Sequence, residues 1–171
     1  TDIRTPRIKK LIAEMKALLA KEEYGVALAA PQVGEPIRLF IVSGRALTRD
    51  ARNAPDEKHS GVSSHRDKPV PTAQGGSALG RDQIYINPVI LKMSRAKKAK
   101  HEGCLSIRGK WGTVARAEKA SIRAHDETGR VFTRGASGFL AHVFQHEMDH
   151  LEGVLYTDKA IKMYEEQPKE K

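Results

Sequence analysis

The stretch Gly138-Phe139-Leu140-Ala141-His142-Val143-Phe144-Gln145-His146-Glu147-Met148-Asp149-His150-Leu151 decides the fold. Its apolar residues Phe139, Leu140, Val143, Phe144 and Leu151 cover most of a helix circumference. That predicts a helix from Ser137 to about Leu151 buried in the middle of the domain. Within it, His146-Glu147-Met148-Asp149-His150 forms an H-E-x-x-H. Residues four apart share a helix face one turn above the other, so the two imidazoles can grip one ion. Glu147 lies beside them, within reach of a proton on a metal-bound water without being a ligand. Two histidines, a Glu and an Asp are costly to bury on a core helix unless they are paired or metal-bound. On an exposed helix the same letters describe ordinary hydrogen bonds and salt links.

Outward from this helix, Ile8, Leu11, Ile12, Met15, Leu18 and Leu19 recur at helical spacing and predict an amphipathic helix from Pro6 to about Lys21. Gly25 breaks it. Val26 to Ala30 is a small apolar run ended by Pro31, and Ile37 to Val42 reads as a strand. From Ser43 to Gln83 the periodicity dissolves into polar, Gly- and Pro-containing sequence, read as one flexible insertion. His59 and His65, inside it, read as solvent-exposed. Strand character resumes at Ile84 to Leu91, where Asn87-Pro88 predicts an edge position or an interruption. Ala120, Ile122 and Ala124 alternate with polar residues, Asp126 to Gly129 supplies turn chemistry, and Val131 to Thr133 is extended again, which predicts a hairpin. The charged tail from Lys162 to Lys171 reads as a short fraying helix.

Composition bounds the possibilities. A chain of 171 residues with 39% hydrophobic content suffices for one domain with a core. No run of about 18 apolar residues exists, which predicts a soluble, cytoplasmic protein and no membrane partner. The chain starts at Thr1 rather than Met, so an organelle-targeting segment could precede it. One cysteine excludes an internal disulfide and the multi-cysteine zinc folds. Thirty Lys and Arg against 21 Asp and Glu give a net charge of +9, which favours polyanions in general without identifying specific nucleic-acid recognition.

A catalytic metal needs a third protein ligand and an open fourth position. No further His or Glu follows His150 at the short spacings of common H-E-x-x-H peptidases. Cys104, in Glu102-Gly103-Cys104-Leu105-Ser106, is the remaining candidate, although a lone cysteine is often inert core filler. At this level an H-E-x-x-H peptidase and a basic RNA-binding module stay open.

Three motifs narrow the field. Glu102 to Ser106 is identical to the E-G-C-L-S signature of peptide deformylases. Gln145 to His150, with Leu151 and Gly153, resembles their Q-H-E-x-D-H-L-x-G, and Gly25-Val26-Ala27-Leu28-Ala29-Ala30-Pro31-Gln32 resembles their G-x-G-x-A-A-x-Q. The chain therefore resembles the peptide deformylase family over most of its length outside 43–83, and shares its motif order. The resemblance implies one α+β domain spanning 1–171, with antiparallel sheets packed around the central H-E-x-x-H helix.

It also implies an activity: removal of the formyl group from the N-terminal formylmethionine of nascent polypeptides, with release of formate. Cys104, His146 and His150 become ligands of one divalent ion, Fe(II) in the cell, with Zn(II), Ni(II) or Co(II) as substitutes in isolated protein. Metal-bound water is the nucleophile, Glu147 the general base and acid, and the Gln32 amide with the Leu105 N–H stabilises the oxyanion. Formylmethionyl nascent peptides are the partners, and the positive charge is compatible with ribosome association. Phe139, His142 and Val143, one to two turns before His146, are the candidate wall of the methionine pocket, His142 being the unexpected member. Gly25, Val26, Ala27, Glu102 and Gly103 are expected along the peptide backbone. A Glu102–Arg116 pair is expected to stiffen the cysteine segment. Ala27 departs from the second glycine of its motif and puts the pocket dimensions in question.

Overall fold

The computed structural model describes residues 5–53 and 80–165. Helix α1 (Pro6–Lys21) begins where Thr5 Oγ1 accepts the Ile8 N–H at 3.4 Å and Pro6 takes the first helical position. Ile8, Leu11, Ile12, Met15 and Leu19 are its buried stripe, whereas Leu18 faces solvent. Gly25 then turns the chain so tightly against α1 that a Cβ there would lie 2.9 Å from both Leu19 Cδ1 and Glu22 Cβ.

Strands β1 (Ala27–Ala29), β2 (Leu39–Val42), β3 (Gln83–Met93), β6 (Lys119–His125) and β7 (Val131–Ser137) form a five-stranded antiparallel sheet in the order β1-β2-β3-β6-β7. The period of two sorts its side chains between two cores. Leu28, Leu39, Ile41, Ile84 and Ile86 join the apolar face of α1. Ala27, Ala29, Phe40, Val42, Tyr85, Ile122 and Ala124 face the other way, onto Leu140, Val143, Phe144 and Met148 of α3 (Gly138–Leu151). Phe40 stacks on Tyr85 with ring centroids 4.6 Å apart, and Phe144 meets Tyr85 edge-on at 5.2 Å.

A second sheet, β4-β5-β8, is built from β4 (Lys97–Cys104), β5 (Ile107–Ala117) and β8 (Lys162–Glu165). Helix α3 packs on β1, β6 and β7 of the larger sheet and also touches β5. A short helix α4 (Tyr156–Lys159) contacts β4 and β5. The architecture is α+β with antiparallel sheets. Among the described residues no helix is long and apolar enough to cross a membrane.

Two expectations change. Residues 44–53, read as loop, form helix α2 (Gly44–Asn53): the Ala46 N–H reaches Ser43 Oγ at 3.2 Å, and Ala46 and Leu47 are buried in the α3-side core. The rest of the proposed insertion up to 79, with His59 and His65, lies outside the described residues. Of the two outcomes expected for Asn87-Pro88, an edge position or an interruption, the second is found: β3 is internal, and a bulge between Ile86 and Val89 absorbs the pair, with Asn87 at φ 48°. Lys162–Glu165, read as helix, pairs with Lys110–Thr113 as β8. The hairpin at Ala120 to Thr133 forms as expected, with Ala124 opposite Phe132 and the Asp126 N–H donating to the Arg130 carbonyl at 2.9 Å.

Candidate metal centre

Two elements bring the donors together. On α3, four-residue spacing leaves the Nε2 atoms of His146 and His150 3.2 Å apart. At the end of β4, the two-residue turn Leu105-Ser106 delivers Cys104 Sγ to 3.2 Å from His150 Nε2. One ligand atom from each of Cys104, His146 and His150 lies within 4.8 Å of the others. Bond lengths of about 2.3 Å to sulfur and about 2.0 Å to nitrogen, arranged tetrahedrally, separate donors by about 3.3–3.5 Å, so one ion fits this triangle.

The electrostatics agree. Burial alone raises a thiol, but hydrogen bonds from His146 and His150 and the Ser106 backbone, with the charge of His150, bring Cys104 down to about 5. Burial alone lowers an imidazole, yet hydrogen bonds to Cys104 and Glu102 and the charges of Glu147 and Glu102 lift His146 to about 10. A thiolate surrounded by groups that hold on to positive charge is a site a cation satisfies in place of protons.

Behind the donors stands a buried ionic frame. His146 Nδ1 donates to Glu102 Oε2 at 3.0 Å, which points its Nε2 at the donor triangle. Arg116 grips Glu102 bidentately, Nε to Oε1 at 2.7 Å and Nη2 to Oε2 at 2.9 Å, and its Nη1 reaches Asp149 Oδ2 at 2.6 Å. Lys159 Nζ closes the chain on Asp149 Oδ1 at 2.6 Å. Burial would raise Glu102, but the hydrogen bonds and charges of Arg116 and His146 hold it at about 2. The expected Glu102–Arg116 pair is therefore present, and Glu102, also expected beside the peptide, is 8% exposed with its carboxylate committed to Arg116 and His146.

Gln32 sits in a 3-10 turn, Ala30–Val33. Its Oε1 accepts the Ala29 N–H at 2.8 Å, which aims Nε2 at Cys104 Sγ, 3.3 Å away, and at Ser106 Oγ, 3.0 Å away. Glu147 is 4% exposed and its Oε2 has no partner among the described residues. Burial raises its carboxyl to about 7 against the charges of His146 and His150. Leu105 occupies the turn next to Cys104, and a Cβ on Gly103 would meet the Trp111 ring at 3.0 Å.

Of the expected pocket residues, Phe139 is 39% exposed, Val143 packs in the apolar core and His142 is buried. Val26 is half-buried at the entry of β1, while Gly25 is buried against α1. Ala27 pairs with Val42 in regular antiparallel register, and its methyl joins the α3-side core. Among the described residues Asn87 alone has positive φ without being glycine, so Ala27 is unstrained. Gln145 opens the Q-H-E-x-D-H motif without a role that its spacing reveals. It clamps α3 to β5, accepting the Ala117 N–H and donating to the Ala117 carbonyl, both at 2.9 Å. Tyr156, unsignalled in the sequence, lies near-parallel to His146 and donates to the Lys110 carbonyl at 2.9 Å.

A thiolate and two imidazoles converging beside a buried carboxylate, on a scaffold of antiparallel sheets and helices, is the arrangement a one-metal hydrolase requires. Residues 1–166 match the family described as polypeptide deformylase. The chain is 37% identical over 155 residues to peptide deformylase 1 of Clostridium perfringens, covering 91% of this chain and 82% of that protein. It is 36% identical over 154 residues to the peptide deformylase of Christiangramia forsetii, covering 90% and 69%. Arabidopsis thaliana peptide deformylase 1B superposes with a TM-score of 0.70 at 31% identity, over 95% of this chain and 73% of that one. The Thermotoga maritima peptide deformylase gives 0.69 at 26%, over 95% and 86%. The chain belongs to the polypeptide deformylase family, and its members are hydrolases.

Proposed function

We propose that this enzyme hydrolyses the formamide at the N-terminus of nascent polypeptides at the Cys104–His146–His150 centre. The observation that carries the reading is the convergence of these donors with the Gln32 amide, next to a buried Glu147 whose Oε2 has no partner among the described residues. When bound, a single divalent ion supplies a nucleophilic water at neutral pH and positive charge for the formyl oxygen. Fe(II) is the ion we assign in the cell, with Zn(II), Ni(II) or Co(II) able to replace it, since a mixed thiolate and imidazole set suits all four.

The chain's own groups do the rest. Glu147, at about 7, is poised to take a proton from the attacking water and to return one to the departing amine. The Gln32 amide, held by the Ala29 N–H, donates to the formyl oxygen as it becomes negative, together with the backbone N–H of Leu105. Glu102 fixes the His146 tautomer, and Arg116 holds Glu102 in place. Helix α3 acts as the central helix on which both sheets assemble the site. Val26, just before β1, and Ala27 on it, with Gly103, border the path of the substrate backbone, and Phe139, His142 and Val143 border its first side chain. The net charge of +9 favours recruitment to the ribosome, and we place the enzyme in the compartment where formylated chains are made.

An H-E-x-x-H peptidase would cleave internal peptide bonds instead. Formate release from formyl-Met-Ala-Ser, measured beside cleavage of the unblocked peptide, separates the two. Formate without internal cleavage is expected, and cleavage of the unblocked peptide without formate overturns the reading.

A further inference from the structure

The site is the end of a ladder between α3 and β4. His150 meets Cys104, and four residues earlier His146 meets Glu102, two residues earlier on the strand. The steps match because four helical residues rise about 6 Å and two strand residues about 6.6 Å. The next rung is therefore His142 opposite Lys100, which shares the Glu102 face of β4. Lys100 is the first of the charges acting on His142, ahead of Glu102, Arg116 and Glu118.

That rung is incomplete. His142 is 5% exposed, yet neither Nδ1 nor Nε2 has a hydrogen-bond partner among the described residues. Burial, with the charge of Lys100, keeps the ring neutral down to about 4, so it offers one N–H donor and one acceptor nitrogen. A neutral imidazole buried with both nitrogens unpaired is costly, which makes a ligand atom the natural partner. The reach is right: from a formyl carbon at the donor triangle, the five bonds through the amide nitrogen and Cα to the side-chain sulfur span about the 6 Å that four helical residues rise between His142 and His146.

We propose that His142 is a specificity-determining residue that hydrogen-bonds the end of the substrate's first side chain, so that formylated peptides beginning with methionine sulfoxide are accepted alongside those beginning with methionine. The inference rests on the deformylase reading above. The sulfoxide oxygen accepts the imidazole N–H, in a region of positive potential from Lys100. The sulfoxide itself passes through unchanged, since only the formamide C–N bond is hydrolysed.

The test compares kcat/KM for formate release from formyl-Met(O)-Ala-Ser and formyl-norleucyl-Ala-Ser, norleucine being an apolar analogue of methionine. The sulfoxide-to-norleucine ratio is expected to fall about tenfold in His142→Leu, with His142→Phe as the apolar replacement if the leucine chain does not fold, and to be kept in His142→Gln. A ratio that stays within about twofold of wild type in the apolar variants, with formate still released, overturns the inference alone. So does a wild-type enzyme that turns over the norleucine peptide and leaves the sulfoxide peptide untouched. No formate from any peptide, formyl-Met-Ala-Ser included, overturns the deformylase reading and this inference with it.

Discussion

Arg116 holds two carboxylates with one guanidinium, and only 4% of its side chain is exposed. Replacing it with Met leaves Glu102 and Asp149, 8% and 15% exposed, without their main cation. We expect Arg116→Met to cost about 3–5 kcal/mol in urea unfolding. His146 also loses the support of its orienting carboxylate, so metal affinity should fall by roughly 10–100-fold in a chelator competition. Of this frame only His146 and Asp149 stand in the H-E-x-x-H itself. The spacing of His146 and His150 is local and fixes their common face, whereas Glu102 is 44 residues from His146 and Arg116 is 14 residues from Glu102. Cys104 is similar: nothing in its neighbours' chemistry separates a ligand from a core thiol, and only the family resemblance assigned it. Ala27 shows the converse, a residue that looked disruptive because its backbone was imagined in a glycine-only conformation when it is plain strand.

At the scale of elements, amphipathic patterns were readable and polar strands were not. α1 and α3 follow their apolar stripes, and the β6–β7 hairpin follows its alternation and turn residues. Strands β4 and β5 carry Lys97, Lys98, Lys100, Arg108 and Lys110, and where β5 alternates its buried positions are Gly112, Val114 and Arg116, so no alternation of apolar residues marks them. Their pairing is decided by the turn at Leu105-Ser106 and by Arg116. The hairpin turn itself can be tested. Asp126 Oδ1 accepts from the Thr128 N–H, the Thr128 hydroxyl and the Arg130 N–H at 2.9, 2.6 and 3.0 Å. Burial would raise its pKa, but these bonds and the charge of Arg130 lower it. A depressed carboxylate stabilises the fold fully above its unfolded value, about 3.9, and that contribution disappears as pH falls through the lower folded value. Asp126→Ala should therefore lower stability by about 1–2 kcal/mol at pH 7. Melting curves taken down the acid limb should show the gap between variant and wild type closing, and a gap independent of pH would contradict this account.

For the whole molecule, the five-stranded sheet divides two apolar cores, and α3 carries the metal donors on a face turned away from both, toward β4 and β5. The site thus joins the two sheets, and an ion there ties β4 to α3. Metal should act as a folding ligand: at a free concentration 100 times its Kd it adds about 2.7 kcal/mol. Chelation is expected to lower Tm by about 5–10 °C, to a value that re-metallation reverses. Cys104→Ser, lacking the thiolate, should melt near the chelated wild type and respond little to added metal.

The central claim is that a buried carboxylate beside a Cys-His-His centre drives formamide hydrolysis, and one paired measurement reaches it most directly. Wild type and Glu147→Gln are loaded with the same metal, their metal content is determined, and formate release from formyl-Met-Ala-Ser is followed in both. The account predicts one ion per chain in each protein and a rate at least about 100-fold lower in the variant, because the carboxamide fills the same space but cannot accept the proton. Equal rates at equal metal content would contradict it.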